Sequence, residues 1–148
     1  MKSLLSKSII LTMIGLAIFS HAEARGEDWK LFSIGSDGVF WSYDTQSVSY
    51  QPDNMIRIWV KRVEAEEIFK MIKNGTKIDQ SQLEKMISGR EYEKSLMEID
   101  CVEKTANHLQ RLNYDSMGIR RSGESMPGTK KVIPADSVAE KLYKIVCK

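Results

Sequence analysis

An α+β fold is predicted for this chain: a single antiparallel β-sheet of about six strands, a helical insertion between strands, and a C-terminal helix packed on the concave face and tethered there by a disulfide. Three observations predict it. Apolar residues alternate in two-residue steps through most of the chain, as half-buried strands require. Residues 64–92 break that rhythm with a helical spacing. The last fifteen residues, Ile133 to Cys147, read as a capped amphipathic helix ending on a cysteine.

The N-terminus reads as an export signal. Lys2 and Lys7 precede an almost continuous apolar run, Ile9 to Phe19, and small residues follow at Ala22 and Ala24. A basic start, a short apolar stretch and an A-x-A site describe a secretory signal peptide, and the run falls short of the ~20 apolar residues that a membrane span needs. The predicted domains are therefore a signal peptide, 1–24, and a single domain, 25–148, with cleavage before Arg25. Ser20-His-Ala22 is the competing site, and an uncleaved anchor the alternative. Neither site has a cysteine beside it, so no lipid attachment is expected there. Cleavage leaves 20 basic and 19 acidic residues, a formal charge of +1. That near-neutral balance argues against nucleic acid, whose partners concentrate positive charge. No later apolar run can span a bilayer.

Asp28 to Ile34 is the first expected strand, and Gly35-Ser-Asp-Gly38 turns the chain into Val39 to Tyr43. A short extended piece, Val48 to Tyr50, precedes the clearest strand, Met55 to Val63, in which Ile56, Ile58 and Val60 share one side. Glu64 to Lys73 then places Ala65, Ile68, Phe69 and Ile72 on one helical stripe, which Asn74-Gly75 ends. A weaker helix runs from Ser81 to about Ser88. Period two returns at Lys94 to Val102, with Met97, Ile99 and Cys101 on one side. Thr105 to Tyr114 and a short return at Ile119 to Ser122 complete the sheet, and Gly123 to Lys131 is expected as a loop. In the final helix, Ser137-Val-Ala-Glu140 has the spacing of a capping box, with the glutamate reaching back to the serine N–H.

Cys101 and Cys147 are the only cysteines. In an exported chain two cysteines pair more often than not, because the compartment is oxidising. Two buried thiols or a redox pair are the alternatives, without a C-x-x-C to favour them.

Several segments in order resemble a known family. Asp28-Trp-Lys-Leu31, Gly38-Val-Phe-Trp-Ser-Tyr-Asp44 and Ile56-Arg-Ile-Trp-Val-Lys61 are similar to the opening of the surface-adhesin protein E family. Met97-Glu-Ile-Asp-Cys101, Tyr114-Asp-Ser-Met-Gly118 and the Ile133–Cys147 tail are similar to its second half. The resemblance implies a small bacterial exported domain with a sheet, a disulfide-tied terminal helix and a non-enzymatic adhesive role. The helical segment 64–92 stands outside the family pattern as the resemblance presents it.

Little in the residues points to catalysis. His108 is the single histidine after cleavage, too few for a histidine zinc site. With a methionine it could ligate a haem iron, but C-x-x-C-H is absent and a strand histidine satisfied by its neighbours is the plainer reading. No metal, cofactor or catalytic residue is expected. Arg111, Arg120, Arg121, Lys130 and Lys131 gather late in the chain as a candidate basic patch for sulfated glycans, acidic matrix proteins or lipopolysaccharide. The competing reading is a solvated edge that deters sheet-to-sheet pairing. Trp41 and Trp59 are candidates for a ligand face or for the core.

The expected function is an exported binding module for extracellular or host macromolecules. The alternative is a periplasmic accessory or assembly protein that docks a partner through 64–92. Expected partners are a protein or glycan ligand at the cell surface or in the periplasm, with a homodimer as a further arrangement. The expected location is the periplasm, the outer-membrane surface or the medium.

Overall fold

The computed structural model describes residues 26–126 and 128–148. The signal peptide read over 1–24, and Pro127 of the expected loop, lie outside them. The elements are β1 (Trp29–Ile34), β2 (Val39–Asp44), β3 (Ser49–Gln51), β4 (Met55–Glu64), α1 (Glu66–Lys73), α2 (Gln80–Ile87), β5 (Tyr92–Asp100), β6 (Thr105–Tyr114), β7 (Arg120–Ser125), β8 (Lys131–Val132) and α3 (Val138–Val146). All strands join one antiparallel sheet in the order β1-β2-β4-β5-β6-β7; β3 pairs with β4 beyond the reach of β2, and β8 pairs with the other end of β6.

The expected α+β architecture is present, with eight strands among the described residues. The stretch expected as a loop after Ser122 instead continues β7 to Ser125, and Lys131–Val132 adds β8. Neither piece has an apolar alternation to announce it: β7 is Arg-Arg-Ser-Gly-Glu-Ser, every residue exposed. Backbone pairing to β6 places it in the sheet, a signal that side-chain periodicity does not carry.

Two cores form, one on each side of the sheet. Ile56, Ile58 and Val60 of β4, with Tyr43, Met97 and Ile99, pack against Leu142 and Val146 of α3. Val63, of opposite parity on β4, joins Phe40, Ala65, Ile68, Leu83 and Ile87 in a second core beneath α1 and α2. The insertion is therefore a cover for one end of the other sheet face. Its Ile68 stripe, read as a possible docking surface, is turned onto the protein's own sheet: Ile68 is 1% exposed, and Phe69 and Ile72 pack against the same cluster. Gly38 sets the chain's approach to α1. It has φ 76°, and a Cβ there would lie 2.9 Å from the Glu66 Cα, so only glycine fits without displacing the helix.

The tail is clasped to the β5–β6 turn, residues 101–104. The Cys101–Cys147 disulfide spans Cα atoms 5.5 Å apart, Cys101 lying one residue past β5. The Tyr143 hydroxyl donates to the Cys101 carbonyl at 3.0 Å, and the Ile133 N–H donates to the Lys104 carbonyl at 3.0 Å. Ser137 caps α3 by accepting the Glu140 N–H at 3.1 Å. The expected reciprocal bond differs in one partner. Glu140 accepts the N–H of Asp136 rather than that of Ser137, at 2.8 Å, because Asp136 is in the left-handed region with φ 59°.

Glu140 is the electrostatic centre of the clasp. Lys104 Nζ donates to its Oε1 at 2.8 Å, and Lys144 lies 3.3 Å from Oε2. The Lys104 bond first, then the Asp136 N–H, hold its carboxyl at about 2. Asp100 is lowered too, chiefly by the Glu103 N–H. A carboxyl whose folded pKa is depressed contributes stability that is present above its ordinary value and is lost as pH falls through the folded one. Urea unfolding should therefore give a flat stability above about pH 5 and a decline from the ordinary 4.5 toward 2. Glu140→Gln is expected to reduce that decline, leaving the part due to Asp100.

Candidate binding surfaces

The five basic residues expected as a patch lie on the β6 edge of the sheet but at two ends of it. Arg111, Arg120 and Arg121 gather where β6 meets β7; Lys130 and Lys131 lie where β6 meets β8. Carboxylates neutralise three of them. Arg111 sits between Glu93 and Glu124, each at 3.4 Å, Arg121 pairs with Asp115, and Lys130 with Asp100 at 3.3 Å. Arg120 and Lys131 have no acidic partner among the described residues.

The β6–β7 turn fixes the arginines. Asp115 accepts the N–H groups of Met117 and Ile119, each at 2.9 Å, and the Ile119 bond leads in lowering its pKa. A carboxylate so held stays charged and keeps Arg121 beside it. Gly123 leaves room for the Arg120 guanidinium to lie back along the strand. The result is an exposed strand whose backbone is anchored on one side only, with two arginines at its start.

A second surface lies on the α3 side of the sheet. Phe32, Trp41, Val60, Met97 and Leu142 line a mainly apolar cleft of about 240 Å³, with His108 at its wall. A register shift in the β5–β6 pairing, where Leu96 pairs Gln110 but Met97 pairs His108, brings the histidine to this face. Burial first, and Arg111 second, push the imidazole below its ordinary pKa. The satisfied strand histidine expected from sequence is not what is found: its Nδ1 is buried with no hydrogen-bond partner among the described residues. No alternation in sequence could reveal this, since the shift reverses the side that His108 faces. Trp41 packs at the rim of the first core, with Arg62 5.9 Å from its ring centre, while Trp59 belongs to neither core.

Among the described residues no group of three or more His, Cys, Asp or Glu is placed to hold a metal ion, and no helix is long and apolar enough to cross a membrane. A model of the surface-adhesin protein E family matches residues 29–148, a span that takes in the sheet, α1, α2 and the disulfide-tied tail. No curated protein and no solved structure matches the chain.

Proposed function

This chain belongs to the surface-adhesin protein E family, and from that premise we propose that it is an exported, non-enzymatic module that attaches to extracellular or host macromolecules. Export follows from the signal read over 1–24, with the mature chain beginning at Arg25. The disulfide fits such a destination, since structural disulfides persist in oxidising compartments.

The observation that supports an adhesive surface is β7. Its six residues are all exposed, its start carries Arg120 and Arg121, and its pairing to β6 leaves the other edge open. An open strand edge offers main-chain hydrogen bonds to a partner, and rim arginines steer acidic ligands toward it. Lys131, which has no acidic partner among the described residues, extends the positive charge to the far end of the same edge. The ligand we propose is an acidic matrix protein or sulfated glycan. Binding of the purified chain to immobilised ligand is expected to fall as salt rises and to weaken about ten-fold, roughly 1.4 kcal/mol, in Arg120→Glu/Arg121→Glu. Binding that is indifferent to both salt and charge reversal would remove the basic edge from the account.

A further inference from the structure

On the face covered by α1 and α2, Lys61 of β4 and Lys94 of β5 stand directly opposite each other. Like charges at facing strand positions repel, and Lys94 is only 8% exposed. The surroundings offset part of that cost. Trp29, Tyr92 and Tyr114 wall the pair, the two tyrosines stacked at 4.8 Å. Lys61 Nζ is 4.7 Å from the Trp29 ring centre, and Lys94 Nζ is 4.9 Å from that of Tyr114.

One carboxylate reaches the pair, and it contacts only one of the two ammonium groups. Glu27, just ahead of β1, places Oε1 on Lys94 and accepts the Trp29 indole N–H on Oε2 at 3.0 Å. Lys61 has no acidic partner within ion-pair distance among the described residues. Burial, then the charge of Lys94, press its pKa below the ordinary lysine value, while the bonds from Lys94 and Trp29 outweigh burial and lower that of Glu27. Glu27 and Glu84 act on Lys61 only at longer range, so an ammonium without a contact partner stands beside a cleft of about 240 Å³ that runs from Glu27 to the end of α2 at Ile87, Ser88 and Gly89.

We propose that this cleft is a carboxylate site for acidic peptide segments, and that Glu27 is its built-in, displaceable occupant. The group already seated there shows the chemistry: a peptide glutamate held by an ammonium and an indole N–H. Glu27 remains 53% exposed at its side chain, open to exchange, whereas the lysine that receives it is fixed in the sheet. The volume is below the roughly 300–1,000 Å³ of pockets for whole small molecules, so it suits a single acidic side chain. Lys61 supplies the second contact that an incoming carboxylate gains and that Glu27 does not use. The cleft lies on the opposite sheet face from α3, and no residue of β7 lines it, so its occupancy does not depend on the basic edge.

The test titrates the full chain with a blocked Ser-Gly-Glu-Gly-Ser peptide, its glutamine counterpart, inorganic phosphate and N-acetylneuraminate, following the Trp29 indole N–H by NMR. The glutamate peptide is expected to shift that signal, and to bind about ten-fold or more tightly in Glu27→Gln, since apparent affinity scales with the vacant fraction of the site. Adding Lys61→Met should abolish the gain. The proposal is overturned by no shift in either protein, by equal binding of the glutamine peptide, or by tighter binding of phosphate or N-acetylneuraminate. If circular dichroism shows Glu27→Gln unfolded, wild type against Lys61→Met decides: a shift confined to wild type supports the site, and equal responses overturn it. Loss of matrix binding in the β7 variants leaves this result untouched, so the two readings fail separately.

Discussion

Replacing Cys101 and Cys147 together by serine is expected to lower the unfolding free energy by about 4 kcal/mol, the chain-entropy value for a loop of this length. The bridge closes 46 residues, which include β6, β7 and the whole approach to α3. Measured against a typical total of about 5–15 kcal/mol, the loss is a large share of the stability of the domain. The fold should nonetheless survive in the cold. The Tyr143 hydroxyl, the Ile133 N–H and the Lys104–Glu140 pair still bind the tail to the same turn, and Leu142 and Val146 remain seated on the sheet. Urea unfolding of the two proteins would measure the difference. A loss under about 1 kcal/mol would mean that these contacts, rather than the covalent link, hold the tail.

Phe40→Ala is expected to cost about 3–5 kcal/mol, the range for truncating a buried phenylalanine. Phe40 is 0% exposed and is the largest side chain of the core beneath α1 and α2. Leu142→Ala, on the α3 side, should cost about 2–5 kcal/mol. The two side chains lie on opposite faces of the sheet and belong to separate clusters, so the double variant should equal the sum within about 0.5 kcal/mol. Thermal and urea unfolding of the three variants checks both statements. A small effect of Phe40→Ala would mean that the insertion rides on the sheet without contributing to its stability.

How far the fold was legible can be read residue by residue. Ile56, Ile58 and Val60 announce their side of the sheet because a half-buried strand must alternate, and the same holds for Met97 and Ile99. Ser137 announces the start of α3 because few residues can satisfy an orphan helix amide. Phe40 and Val63 hold the second core, yet their positions read as the wet side of a sheet with a single cover. The stripe on α1 was visible; its destination was not, since a stripe says what must be buried and not against what. β7 and β8 escaped because exposed strands carry no apolar rhythm.

The candidate sites were less legible than the fold. Arg111, Arg121 and Lys130 look alike in sequence to Arg120 and Lys131, and only the fold brings carboxylates to the first three. The Lys61–Lys94 pair depends on a strand register across thirty-odd residues of chain, with α1 and α2 between, and no local pattern encodes it. His108 turns on one residue of register shift.

The central claim is attachment, and the most direct measurement is adhesion of native cells lacking this chain to immobilised matrix protein. The account predicts that adhesion falls, that the wild-type chain restores it, and that Arg120→Glu/Arg121→Glu does not. Adhesion unchanged by the loss of the chain would contradict it.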